Sequence, residues 1–143
     1  MHSNIRKLTL ITTSLAFFVV LLGAYTRLKD AGLGCPDWPG CYGKLLAPND
    51  EKAWIEMIHR YVAGTLGLFI LGLAIWRLHI ATVLLVGLVI FQALLGMWTV
   101  TLGLYPVVVV GHLLGGFAIL AMLWLFYLHH NLGINKLLTL APN

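Results

Sequence analysis

The chain has 143 residues, of which 60% are hydrophobic and 10% charged, with a formal net charge of +4. Soluble domains carry about 45–50% apolar and about 25% charged residues, so there is too little charge here to solvate a globule's surface, and the mean hydropathy of +0.92 agrees. This balance excludes a soluble or disordered chain, two cysteines exclude a disulfide-framed miniprotein, and the sequence has no basic cluster with interleaved aromatics to bind nucleic acid.

An integral membrane protein forming one unit over residues 1–143 is what remains, and the bilayer itself is its first partner. Four apolar stretches are long enough to cross it as helices, over about 8–25, 54–76, 80–100 and 107–128. None shows the apolar–polar alternation of a barrel strand, and backbone groups in hydrocarbon must be satisfied within their own segment. The expected fold is therefore all-α: a four-helix transmembrane bundle with up-down-up-down connections.

The first stretch follows Arg6-Lys7 and resembles a signal peptide, but no convincing small-x-small cleavage site follows, so it reads as a retained helix. The segment from Thr26 to Ala53 is a long connection holding most of the chain's Pro and all but one of its acidic residues. A loop of that length in a compact protein is usually functional. The other two connections are short: Arg77-Leu78-His79, and Thr101 to Pro106 with Gly103 and Pro106 as breakers. Arg6 and Lys7 before the first helix place the amino terminus in the cytoplasm and the loop 26–53 outside. Cys35 and Cys41 in that loop agree, since paired cysteines persist in oxidising compartments.

Ionisable residues within spans are expensive and mark functional sites by default. Here they are Glu56, His59 and Arg60 in the second helix and His112 in the fourth. Counted from the loop side, both histidines lie about 8 Å down at 1.5 Å per residue. In an alternating bundle the second and fourth helices are parallel and diagonal, roughly 11–14 Å apart. Two inward imidazoles can bridge that gap through a metal, and haem iron accepts axial histidines where a bare zinc or copper ion wants more ligands. The competing reading is two histidines that merely hydrogen-bond to neighbouring helices.

Glu56, three residues before His59, shares its face and suits proton transfer; the alternative is an interfacial carboxylate paired with Arg60 or a loop lysine. Gly111, Gly115, Ala63 and Gly67 at small-xxx-small spacing either make room for a plate-like cofactor or simply allow close helix packing. Gln92 is placed to hydrogen-bond across the bundle, while Thr12, Thr13 and Ser14 bond to their own backbone. His2, His79, His129 and His130 flank the spans and carry no assigned role.

These residues together resemble one family. Gly23-Ala24-Tyr25-Thr26-Arg27-Leu28 and Ala31-Gly32-Leu33-Gly34-Cys35-Pro36-Asp37-Trp38-Pro39-Gly40-Cys41 are similar to the first external loop of haem A synthases. Glu56-Met57-Ile58-His59-Arg60 resembles that family's E-x-x-H-R signature, and Gln92-Ala93-Leu94-Leu95-Gly96 and Gly111-His112-Leu113-Leu114-Gly115-Gly116 resemble its third and fourth helices. The resemblance implies a bacterial inner-membrane oxidoreductase that converts a methyl group of haem O to a formyl group, supplying haem A to cytochrome oxidase. It implies His59 and His112 as haem ligands, for haem O or haem b, and Glu56 as an essential acid. Cys35 and Cys41 become the loop's disulfide or redox pair, which shapes a lid at the haem edge more than it stabilises the fold. Arg27 and Arg60 become partners for haem propionates.

The usual family member has eight helices in two similar halves, each with a histidine pair. This sequence holds four helices and one pair, so a second copy of the chain or a second four-helix half is the expected partner, with a haem O synthase and an electron donor as further ones. The reading from another class is a haem-binding membrane module, an electron-transfer cytochrome or haem carrier, without chemistry of its own. A small transporter or proton pathway is a third.

Overall fold

The structure is a computed structural model and describes residues 2–132, with side chains over residues 4–129. It is four helices: α1 (His2–Leu28), α2 (Glu51–Trp76), α3 (Ile80–Thr101) and α4 (Pro106–Leu132). All four are long and apolar enough to cross a membrane. No more than 22% of any span is buried inside the protein, so most of the apolar surface faces outward, as lipid requires. His2, His130 and Lys136 lie outside the described side chains.

The helices run past the apolar stretches because their ends are set by capping rather than by hydropathy. Asp50 caps α2, its side chain accepting from the backbone N–H of Ala53, and Glu51 follows in the first turn, where the helix dipole favours an acid. Pro106 opens α4 at the position where a missing N–H costs nothing, with Val108 N–H and Val109 N–H both donating to the Tyr105 carbonyl. Arg27 lies in the last turn of α1. The connection between α1 and α2 therefore shortens to residues 29–50.

Each helix packs against two others, α1 on α2 and α4, and α3 on α2 and α4, leaving α2 diagonal to α4. Gly23 near the end of α1 meets His59 near the start of α2, and Gly96 near the end of α3 meets His112 near the start of α4, so sequential helices run antiparallel. The bundle has two levels. Away from the loop, Ala16, Leu66, Ile70, Leu73, Leu85, Ile119 and Leu123 form an apolar core. Lipid is as apolar as these side chains, so what they contribute is shape-matched packing rather than burial from water. Thr9, Thr12, Thr13 and Thr26 satisfy their hydroxyls on their own helix, each donating at 2.8 Å to the carbonyl four residues back. Toward the loop the interior is polar, and the two histidines and Glu56 stand there.

Candidate functional site

His59 and His112 face each other across the diagonal of the bundle. Their helices begin at Glu51 and Pro106, which puts the two residues about 12 and 9 Å along their axes at 1.5 Å per residue. The ring centres are 6.5 Å apart and the ring planes cross at 87°. Each imidazole lies against a glycine of the neighbouring helix. A Cβ on Gly23 would stand 3.1 Å from Cε1 of His59, and one on Gly96 would stand 3.2 Å from Cε1 of His112. The Nδ1 atoms of both rings are buried and have no hydrogen-bond partner.

A buried imidazole nitrogen without a hydrogen-bond partner calls for an explanation, and binding a metal ion is one. Two imidazoles on opposite sides of one metal ion, with bonds of about 2.0–2.1 Å and ring centres about 1.2 Å behind the nitrogens, stand about 6.4 Å centre to centre. The observed 6.5 Å fits that arrangement. Among the described residues no group of three or more His, Cys, Asp or Glu could hold a bare ion. Two donors alone suit a metal that brings its other ligands with it, as haem iron does.

His112 is held from α3. Gln92 is buried, and its Nε2 donates at 2.6 Å to the backbone carbonyl of His112. A Cβ on Gly115 would lie 2.7 Å from Oε1 of Gln92, so that glycine is what admits the amide. The α4 glycines thus serve helix packing: Gly115 and Gly116 meet Gln92, and the nearest atom to a Cβ on Gly111 is a Leu95 methyl 3.9 Å away. The glycines against the histidines are Gly23 and Gly96, which sequence reasoning passed over. Depth could have revealed them, because each lies five residues from the loop-side end of a helix antiparallel to its histidine's.

Above the pair sits the α1–α2 connection. Cys35 and Cys41 are joined in a disulfide, buried with Ala53 and Met57 of α2. Beyond it, Cys41 and Lys44 exchange backbone hydrogen bonds around a tight turn whose central residues, Tyr42 and Gly43, have φ of 52° and 72°. Positive φ at both positions is what such a turn demands, and glycine supplies one of them without strain. The Asp37 carboxylate accepts from the N–H groups of Tyr42 at 2.6 Å and Gly43 at 2.7 Å. The Gly43 N–H is the largest influence holding that carboxyl below its ordinary value; desolvation opposes it, and the Tyr42 N–H assists.

One guanidinium anchors the whole connection. Nη1 of Arg60 donates to the carbonyls of Asp37 at 2.8 Å and Gly40 at 2.6 Å, and Nη2 reaches the Cys35 carbonyl at 3.4 Å. Nη2 also pairs with Oε1 of Glu56 at 2.5 Å, and Oε2 of Glu56 accepts from the Cys35 N–H at 2.8 Å. Tyr61 donates to the Leu45 carbonyl from the next position. Five donors in a fixed fork make arginine the residue that can hold several carbonyls and a carboxylate at once.

This geometry shows what two of the expected site residues touch. Arg60 is engaged by loop carbonyls and Glu56, because the Cys35–Cys41 ring presents its carbonyl groups inward over α2. Glu56 has both oxygens occupied by Arg60 and Cys35, the paired-carboxylate arrangement that the sequence left as the alternative to proton transfer. Arg27, by contrast, is exposed at the end of α1, one turn beyond the glycine that touches His59.

The histidine pair under an arginine-clamped disulfide loop is the setting in which the chain's relatives bear on it. The family model for cytochrome oxidase assembly proteins matches residues 6–138. The chain belongs to that family. A haem A synthase of Shewanella oneidensis is 49% identical over 148 residues, covering 85% of this chain and 43% of the relative. Haem A synthases of Bacillus licheniformis and Shouchella clausii are 36% and 34% identical, each over 72% of this chain and 37% and 38% of their own lengths. The chain thus spans less than half the length of these curated relatives. Four apolar spans and bacterial relatives make it a multi-pass bacterial membrane protein.

Proposed function

We propose that the chain is a haem A synthase-type unit in which His59 and His112 hold a haem from both sides. The observation that carries this is the 6.5 Å spacing of two half-buried imidazoles, each laid on a glycine and each with a buried Nδ1 that has no partner. The reaction is conversion of the haem O methyl group to a formyl group, in two hydroxylations that draw on an oxidant from outside the chain, followed by loss of water. That reading draws on the names of the relatives and on the E-x-x-H-R and C-P-D-W-P motifs. Bound haem would supply both the methyl carbon to be oxidised and an iron centre for redox chemistry.

The chain's own residues orient and enclose. His59 and His112 would hold the haem; Gly23 and Gly96 leave room for the two imidazoles, and Gln92 holds the backbone of His112. Arg27 is the cation for a propionate. Arg60 and Glu56 hold the disulfide loop as a lid on the external side, with the amino terminus cytoplasmic, so that water is excluded from the reacting edge. Glu56 is the group through which a proton would pass, and it can do so only when Arg60 or Cys35 releases one of its oxygens. A second four-helix unit, a copy of this chain or a separate half, completes the assembly; a haem O synthase delivers the substrate, and a separate donor supplies electrons.

The test is mass analysis of haem extracted from cells that make haem O but no haem A, expressing this chain. Haem A in the extract, lost in His59→Ala and His112→Ala, is the expected result. Haem O bound without haem A would assign the chain to haem carriage or electron transfer instead, and no bound haem would overturn the site.

A further inference from the structure

The end of the bundle away from the loop holds a second site-like feature, independent of the histidine pair. A cleft of about 390 Å³ opens there between the α2–α3 link and the last turns of α4. Its lining divides by chemistry. Arg77, His79 and His129 form a basic rim, and Met122, Leu125 and Phe126 an apolar wall.

The rim is built to donate. Arg77 is half-buried beside the cleft, and its backbone N–H closes the end of α2 on the Leu73 carbonyl at 2.9 Å. His79 caps α3: the Ala81 N–H donates to its Nδ1 at 3.2 Å, and the Thr82 hydroxyl accepts from its backbone N–H at 3.1 Å. With Nδ1 accepting, the ring's proton resides on Nε2, which makes the free edge of the imidazole a donor. The start of a 22-residue helix adds partial positive charge at the same place.

Among the described residues no acidic side chain stands at this end. All five acidic residues, Asp30, Asp37, Asp50, Glu51 and Glu56, belong to the loop or the first turns of α2, at the opposite end. Arg6 and Lys7, at the start of α1, stand at the same end as the cleft. The far end of the bundle is thus basic around a cavity whose other wall is apolar and whose Leu125 is 61% exposed toward the lipid. A free anion has no use for that wall. A phosphate carried on an acyl chain uses both halves, and basic pockets between membrane helices bind anionic headgroups in this way.

We infer that the cleft between the Arg77–His79 link and the end of α4 is a binding site for an anionic phospholipid. The phosphate sits between Arg77 and the Nε2–H of His79, and one acyl chain runs along Met122, Leu125 and Phe126. The bound lipid ties the α2–α3 link to α4, the two elements that flank the cleft.

The test is native mass spectrometry of delipidated chain in neutral detergent, titrated with phosphatidylglycerol, phosphatidylcholine or inorganic phosphate. One phosphatidylglycerol per chain, bound at least about fivefold more tightly than phosphatidylcholine, is expected, since one basic residue contributes about that factor near a lipid phosphate. Arg77→Gln lowers the phosphatidylglycerol affinity about fivefold, whereas Lys52→Gln, an equal charge loss at the loop end, leaves it unchanged. Leu125→Trp fills the cleft and abolishes binding with no change of charge. Equal binding of the two lipids, or equal effects of Arg77→Gln and Lys52→Gln, overturns the site. Displacement of phosphatidylglycerol by an equal concentration of inorganic phosphate overturns the lipid assignment.

Discussion

Replacing Arg60 by methionine removes the one cation that holds the loop while keeping the length of an unbranched side chain. The Arg60 and Glu56 side chains are 12% and 5% exposed, so little water can enter to replace the lost charge. Breaking a buried ion pair by deleting one partner costs about 3–5 kcal/mol, most of it from the charge left behind. The loop carbonyls of Asp37 and Gly40 also lose a charged donor, but they lie nearer solvent and recover part of that energy from water. Taking about 3 kcal/mol as the net cost, the population of chains with an open loop rises roughly a hundredfold. Hydrogen exchange of the amides from Cys35 to Lys44 reads this directly. The disulfide holds the ring closed in both proteins, so the change reports the clamp alone. Glu56→Gln combined with Arg60→Met removes both charges and opens the loop less than Arg60→Met does. An Arg60→Met protein with unchanged exchange, or a double variant worse than the single, would refute the argument that Arg60 acts by neutralising Glu56 and binding the loop.

Further outcomes follow from the same geometry. Gly96→Ala puts a Cβ 3.2 Å from Cε1 of His112, so the ring must move by a few tenths of an ångström; haem affinity falls while helix content by circular dichroism is unchanged. Gly34→Ala places a Cβ 2.5 Å from the backbone carbonyl of Lys52, which cannot yield as a side chain would; overpacking of this kind costs about 1–3 kcal/mol, and tryptic cleavage at Lys44 accelerates. Asp37 titrates below its ordinary value of 3.8, so its hold on the turn is complete above that value and lost as pH falls through the lowered one. The amide resonances of Tyr42 and Gly43 therefore stay constant from pH 8 to 5 and move only below about pH 4.

The parts of this molecule legible in the sequence are those that depend on one residue at a time. Hydropathy alone marks four spans, because each must match the bilayer thickness regardless of its neighbours. His59 and His112 stand out because an ionisable group in a span is conspicuous wherever it points. What stays hidden depends on rotation about the helix axes. Helices apolar on every side carry no stripe to say which face turns inward, so Gly23 and Gly96 look no different from Gly64 or Gly87, whose Cβ positions meet nothing within 4 Å. The role of Arg60 is hidden for a different reason: its targets are backbone carbonyls of Asp37 and Gly40, groups every residue has, presented by the folding of a loop twenty or more positions earlier. His79 reads as a flanking residue because histidine is an uncommon cap, and only the Thr82 hydroxyl completes it.

The central claim is that His59 and His112 share one iron. Electron paramagnetic resonance of the oxidised, haem-loaded chain, together with its near-infrared magnetic circular dichroism, tests this most directly, since both report axial ligands. The unaltered protein is expected to show a low-spin, bis-imidazole signature, converted to high spin by His59→Ala and equally by His112→Ala. A signature that survives either substitution would contradict the claim.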